Sequence, residues 1–268
     1  MGRVVAIANQ KGGVGKTTTA INLAVALADL KLRVLLIDLD PQGNATSGVD
    51  SRRELSAPKA ASSRNIYDVL IGRAQLIDIV RPVRHFLFLA PSSTDLVGAE
   101  VELATMEGRE RMLASALRSV GQNYNFVLID TPPSLGLLTL NALVAAQSVL
   151  VPMQCEYYAL EGLTSLIGTI RRINGGPNPG LALEGLVLTM FDGRNRLSHE
   201  VAREVREHFG AQVFNSVIPR NVRLSESPSH GLSVLEYDSK SAGAHSYRAL
   251  AQELVQRNGE RTGAHAQE

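Results

Sequence analysis

An apolar run, Val4-Val5-Ala6-Ile7-Ala8, feeds into Asn9-Gln10-Lys11-Gly12-Gly13-Val14-Gly15-Lys16-Thr17-Thr18, and a helix-compatible segment follows to Leu30. Strand, glycine-rich loop and helix in that order are the setting of a phosphate-binding loop. There, backbone N–H groups cradle phosphates, a lysine reaches the β/γ-phosphates and a hydroxyl meets Mg²⁺. Gly15-Lys16-Thr17 fits the ordinary pattern, but Gln10 holds the first glycine position and a second lysine, Lys11, stands directly before Gly12-Gly13. A ligand-free glycine turn is the plainer alternative, and motif and context together weigh against it.

The rest of the chain repeats the strand and helix alternation. Apolar runs at 3–8, 33–38, 85–90, 124–130, 147–153, 183–190 and 213–218 are separated by helix-length segments. That rhythm predicts an α/β fold, a doubly wound and mostly parallel sheet with helices on both faces. At 268 residues one large core is expected. We read 1–256 as a single domain, 51–64 as a mobile loop of linker composition and 257–268 as a disordered tail. No internal repeat is visible.

Two of the runs end in an acid, as buried parallel strands do when they deliver carboxylates to the sheet's C-terminal edge. Arg33 to Asp38 leads into Asp40-Pro41-Gln42-Gly43-Asn44, and Phe126 to Asp130 leads into Thr131-Pro132-Pro133. Asp40 reads either as a turn initiator before Pro41 or as a carboxylate able to orient or deprotonate a water.

Composition narrows the class. A net charge of +1 leaves any nucleic-acid contact to a local patch. No charged leader and no apolar stretch of about 18 residues is present, so a cytoplasmic location is expected. The single cysteine, Cys155, is too little for a four-thiolate cluster shared by two chains, and it reads as a small buried hydrophobe. The six histidines are scattered, and His199 and His230 read as structural or solvent-facing.

Lys11-Gly12-Gly13-Val14-Gly15-Lys16-Thr17 resembles the deviant Walker A motif of the ParA/MinD ATPases, and the whole chain is similar to their ParA (Soj-like) branch. The likeness extends to Asp40 through Gly48, Gln154 through Leu163 and Val217 through Glu226, and spans residues 4 to about 255. It implies a P-loop NTPase fold with ATP and Mg²⁺ as cofactors. Gly12, Gly13, Val14, Gly15, Lys16, Thr17 and Thr18 would hold the nucleotide, with Asp192, Pro219 and Asn221 near the adenine. Thr17, Asp40 and Asp130 are assigned to the metal and its water shell. Lys11, Lys16 and Asp40 would be catalytic, with Lys11 crossing a homodimer interface to the other subunit's phosphates, the task of an arginine finger elsewhere.

The resemblance further implies an ATP-state dimer that binds double-stranded DNA without sequence preference. Arg194 and Arg223 would carry that contact, since an arginine fork pairs with phosphates without reading a base, and Arg220 could add to the patch. The alternative is that these arginines are solvated or paired with neighbours such as Glu200, Glu204 and Glu226. A ParB-type centromere-binding partner would stimulate otherwise slow hydrolysis and release the dimer, giving a nucleoid-associated segregation protein. The chain starts at its first strand, so an N-terminal helix-turn-helix extension is not expected. Two other roles share the P-loop: a MinD-like positioning ATPase at a membrane surface, and ParA-like positioning of a non-DNA cargo. The first needs a terminal basic amphipathic helix, whereas Tyr247, Leu250, Ala251, Leu254 and Val255 suggest a last helix packed on the core, so no membrane partner is expected.

Overall fold

The computed structural model describes residues 2–50, 64–156 and 159–264. Its strands are β1 Arg3–Ile7, β2 Val34–Asp38, β3 Arg81–Arg84, β4 Leu87–Ala90, β5 Phe126–Asp130, β6 Ser148–Gln154 and β7 Ala182–Thr189. They form one sheet in the order β3-β4-β2-β5-β1-β6-β7. All neighbours are parallel except β3 and β4. The described helices are α1 Lys16–Asp29, α2 Asn44–Val49, α3 Ile66–Leu70, α4 Leu76–Ile79, α5 Leu96–Ala104 and α6 Met112–Leu117. They continue with α7 Leu137–Ala145, α8 Ala159–Asn174, α9 Arg196–Phe209, α10 Val222–Glu226, α11 Val234–Tyr237 and α12 Ala242–Ala264.

Alternation along each strand divides the core in two. Val4, Ala6, Leu35, Ile37, Val127, Ile129, Val149 and Val151 face one side and pack under α3 to α9. Val5, Ile7, Val34, Leu36, Leu128 and Leu150 face the other and pack under α1, α11 and α12. With both faces covered, β2 and β5 carry no polar position before their C-terminal acids, the pattern of a buried parallel sheet. On α12, Ala244, Tyr247, Leu250, Ala251 and Leu254 are buried, so this helix belongs to the core, where a fully buried leucine is worth about 1.5–3 kcal/mol.

Three boundaries differ from the sequence reading. The expected strand 213–218 forms only one isolated bridge, Leu186 with Val213, and a second, Phe191 with Pro219, follows just beyond it. The amides of Asn215 and Ser216 donate instead to the Glu253 carboxylate at 2.8 and 2.9 Å, which takes them out of any ladder. The run at 85–90 is shortened to β4 because Phe86, at φ 63°, turns the chain into a hairpin with the unanticipated antiparallel edge strand β3. The helix expected to stop at Gln256 continues as α12 to Ala264, through most of the segment read as a tail. The loop expected at 51–64 lies, Arg64 apart, outside the described residues.

Candidate nucleotide site

The sheet's C-terminal edge collects every element of the site. β1 opens into a loop in which Gly13 (φ 73°) and Gly15 (φ 88°) take left-handed conformations that only glycine adopts cheaply. Gly15 also caps α1 without any side-chain hydrogen bond, so the first amides of the helix point outward together with the positive end of its dipole. That is an anion site built from backbone. The loop is braced from two strands, β6 and β7: Thr189 Oγ1 donates to the Val14 carbonyl (2.8 Å), Gln154 Nε2 to the Gly13 carbonyl (3.1 Å) and Asn9 Nδ2 to the Pro152 carbonyl (2.8 Å).

Lys16 is buried and its Nζ donates to the Lys11 carbonyl at 3.1 Å. Burial pulls its pKa down, and the carboxylates of Asp130 and Asp40 oppose that shift. Lys11 points the other way, its Nζ donating to Glu156 Oε2 at 2.5 Å in a half-exposed ion pair. Glu156 lies within the Gln154 through Leu163 likeness, where no local spacing marks it for a role.

The two strand-terminal acids are register partners with different tasks. Asp38 accepts the Thr46 amide (2.7 Å), the Thr46 hydroxyl (2.7 Å) and the Asp40 amide (3.1 Å). Asp130 is fully buried and neither of its carboxylate oxygens has a hydrogen-bond partner. Burial drives its pKa well up, the Asp38 charge adds to the rise, and Thr17 and Lys16 act against it. An orphaned carboxylate facing a threonine and a lysine at a helix N-terminus suits a hydrated Mg²⁺ that arrives with phosphates. Among the described residues no cluster of three or more His, Cys, Asp or Glu is arranged to hold a metal by itself.

Asp40 fulfils the turn reading and keeps capacity for the other. Its Oδ1 accepts the Gln42 amide (2.9 Å) and its carbonyl the Gly43 amide (2.9 Å), while Ser92 Oγ donates to that same carbonyl (2.7 Å). Gly43 then caps α2 in the left-handed region. Thr46 and Ser92 were not anticipated as supports of this segment; both are small polar residues in a stretch with no spacing rule to expose them.

Around the expected adenine end, a cavity of about 220 Å³ is lined by Gln154, Met190, Asp192, Asn195 and Arg220 among others. Pro219 lies beside Phe191, which brings Arg220 close to Asp192. Asn221 is an N-cap, its oxygen accepting the Arg223 amide at 2.8 Å. Two of the three arginines are paired with carboxylates: Asp192 accepts from Arg194 Nε at 3.1 Å, Glu226 from Arg223 at 2.8 Å, and Arg223 also lies 3.3 Å from Asp238. Arg194 is nonetheless 91% exposed. Cys155 is buried, with its thiol pKa pushed up to about 11 by burial, as a small hydrophobe should be. His199 contacts the Gly193 carbonyl (2.8 Å) and Phe191, and His230 stacks on Tyr237, both structural placements.

Comparison with known proteins settles the lineage. A family model described as an AAA domain matches residues 2–183. The chain is 51% identical over 259 residues to the chromosome partitioning protein ParA of Myxococcus xanthus, covering 96% of this chain and 89% of that one. The chain belongs to the ParA/Soj family. A second member, the chromosome-partitioning ATPase Soj of Treponema pallidum, is 50% identical over 263 residues, 97% of this chain and all (100%) of that one. Among solved structures, a Mycobacterium smegmatis protein described as cobyrinic acid a,c-diamide synthase with bound ADP and magnesium superposes with a TM-score of 0.80. It is 37% identical, covering 96% of this chain and 95% of the other. ParA/Soj membership agrees with the seven-stranded, mostly parallel P-loop architecture and with the paired lysines of the loop.

Proposed function

We propose that this chain is an ATP-dependent DNA-partitioning protein whose nucleotide state controls dimerisation and DNA binding. The observation that carries the reading is the pairing of an uncapped, glycine-shaped helix N-terminus with the unpartnered carboxylate of Asp130. The outward amides of α1 and Lys16 bind the β- and γ-phosphates of ATP. Thr17 and Asp130 would hold a Mg²⁺ arriving with the nucleotide, which would supply charge neutralisation for the phosphates. Asp40 aligns the attacking water and draws its proton as the bond from the γ-phosphorus to ADP breaks. Lys11 of a second copy supplies the cation that stabilises the charge between the phosphates, so that turnover depends on dimerisation.

Doubling the chain doubles the arginine patch. One copy offers Arg194, Arg220 and Arg223; two offer enough phosphate contacts for salt-sensitive, sequence-independent binding. Hydrolysis, accelerated by a ParB-type partner, then ends the DNA-bound state, on the nucleoid in the cytoplasm. The relatives are named for chromosome partitioning, which supports the segregation role over other cargoes. The test is binding to a non-specific duplex at moderate salt with ATP, with ADP and without nucleotide. Binding is expected in ATP alone, falling steeply with salt and lost in Arg223→Glu; equal binding in every nucleotide state overturns the proposal.

A further inference from the structure

The ion pair between Lys11 and Glu156 is the only contact of its kind within the phosphate loop's reach among the described residues. Both partners stand on braced backbone. The Lys11 amide donates to Asn9 Oδ1 (3.0 Å), and Asn9 is itself fastened to the Pro152 carbonyl (2.8 Å). Glu156 follows buried Cys155, its amide donates to the Gln154 carbonyl (3.0 Å), and the Gln154 side chain grips the Gly13 carbonyl. The frame around the pair is therefore fixed, and only the two side chains need to move to open it. Their exposures, 39% for Lys11 and 51% for Glu156, leave both open to a second copy of the chain.

We propose that Glu156 is a positioning residue that holds Lys11 on its own subunit and thereby weakens the ATP-state dimer. The inference rests on the reading of Lys11 as the residue that crosses to the other copy. A lysine cannot serve both partners: its ammonium must leave Glu156 before it reaches phosphates on the opposite subunit. An exposed pair of this kind is worth little and is screened by salt, so triphosphate in the facing site can displace it. Its modest strength sets a concentration threshold for dimerisation and leaves the contact breakable. Two such pairs open per dimer, so removing the carboxylate should tighten the dimer by roughly twofold to thirtyfold.

The experiment is the dimer dissociation constant of the full chain with Mg²⁺ and a slowly hydrolysed ATP analogue, measured by sedimentation for wild type, Glu156→Gln and a charge control, Glu107→Gln. Glu156→Gln is expected to dimerise at lower concentration than both others, with nucleotide affinity of the dilute monomer and the unfolding midpoint unchanged. A purely structural role would not produce the second signature: the gap between wild type and Glu156→Gln should close as ionic strength rises, because salt already loosens the wild-type pair. Wild-type dimerisation with an unchanged or weaker Glu156→Gln dimer overturns the role of Glu156 and leaves the function standing. No wild-type dimer with the analogue overturns both.

Discussion

Asp38 accepts both the amide and the hydroxyl of Thr46, while Asp130, its register partner on the neighbouring strand, accepts nothing. Two acids at the same height of the same sheet thus divide the work. Asp38 fastens the Asp40 to Val49 segment to the sheet, and Asp130 stays open toward the phosphate loop.

The first prediction follows from that tether. Thr46→Val keeps the side-chain shape and removes the hydroxyl that donates to Asp38 and accepts the Ser92 amide (3.0 Å). A buried acceptor left short of one partner costs about 1–3 kcal/mol, to be read from urea unfolding. Partner-stimulated turnover should fall by roughly tenfold as Asp40 loses its fixed position, with ATP affinity little changed because the loop carries it. Turnover unchanged beside a measured loss of stability would separate Thr46 from the chemistry.

Asp130→Asn should split stability from function. The substitution replaces an uncompensated buried acid, so the metal-free protein is expected to gain about 1–3 kcal/mol. The same change should abolish the extra stabilisation that ATP gives when Mg²⁺ is added, since ligand-linked stability reflects affinity. Thermal unfolding with and without a chelator reads both effects. A lower midpoint in the chelated variant would mean that the carboxylate is structural.

Much of this arrangement was legible in the sequence, and the gaps have physical causes. The strands that end at Ile7, Asp38 and Asp130 announce themselves because burial on both faces demands unbroken apolar runs. β3 carries Arg81-Pro82-Val83-Arg84, an exposed edge where proline is tolerated and no apolar pattern is required, so nothing marks it. Val213 to Ile218 has the composition of a strand, but Glu253, distant in sequence, takes its amides. Likewise the loop motif places Lys11 and Lys16, whereas the partner of Lys11 is fixed by a contact across the sheet edge that no local spacing encodes.

Cys155 gives a prediction about reactivity. With its pKa near 11 the folded protein holds roughly one thiolate per thousand molecules at pH 8, so alkylation by iodoacetamide should be far slower than for an open thiol and should follow unfolding. The sign for stability is set by the raised folded pKa. The contribution is complete below the ordinary thiol range and is lost as pH rises toward 11. Fast labelling of the native protein would contradict the burial.

Gly136, at the N-terminus of α7, brings an added Cβ against the Glu100 carboxylate on α5. The backbone there, at φ −74°, accepts an alanine, and the Glu100 oxygen that is met has no hydrogen-bond partner to hold it. The carboxylate can therefore swing aside, and Gly136→Ala should cost no more than about 1 kcal/mol in urea unfolding, with turnover unchanged. A loss of several kcal/mol would mean that the Glu100 side chain cannot move.

The last prediction concerns the arginine with two acidic neighbours. Arg223 donates to Glu226 (2.8 Å) and lies 3.3 Å from Asp238, yet remains half exposed. For DNA phosphate to use this guanidinium it must compete with both carboxylates, so Asp238→Asn should raise duplex affinity in ATP by roughly threefold to tenfold at moderate salt. Removing any acid near a polyanion helps binding somewhat, and the two origins are separated by repeating the substitution in an Arg223→Ala background. If Asp238 acts by engaging Arg223, the gain disappears there; if it acts only through the general field, the gain persists undiminished. The first outcome would make the strength of the DNA contact a balance between one arginine and two acids on its own chain, adjustable without touching the nucleotide site.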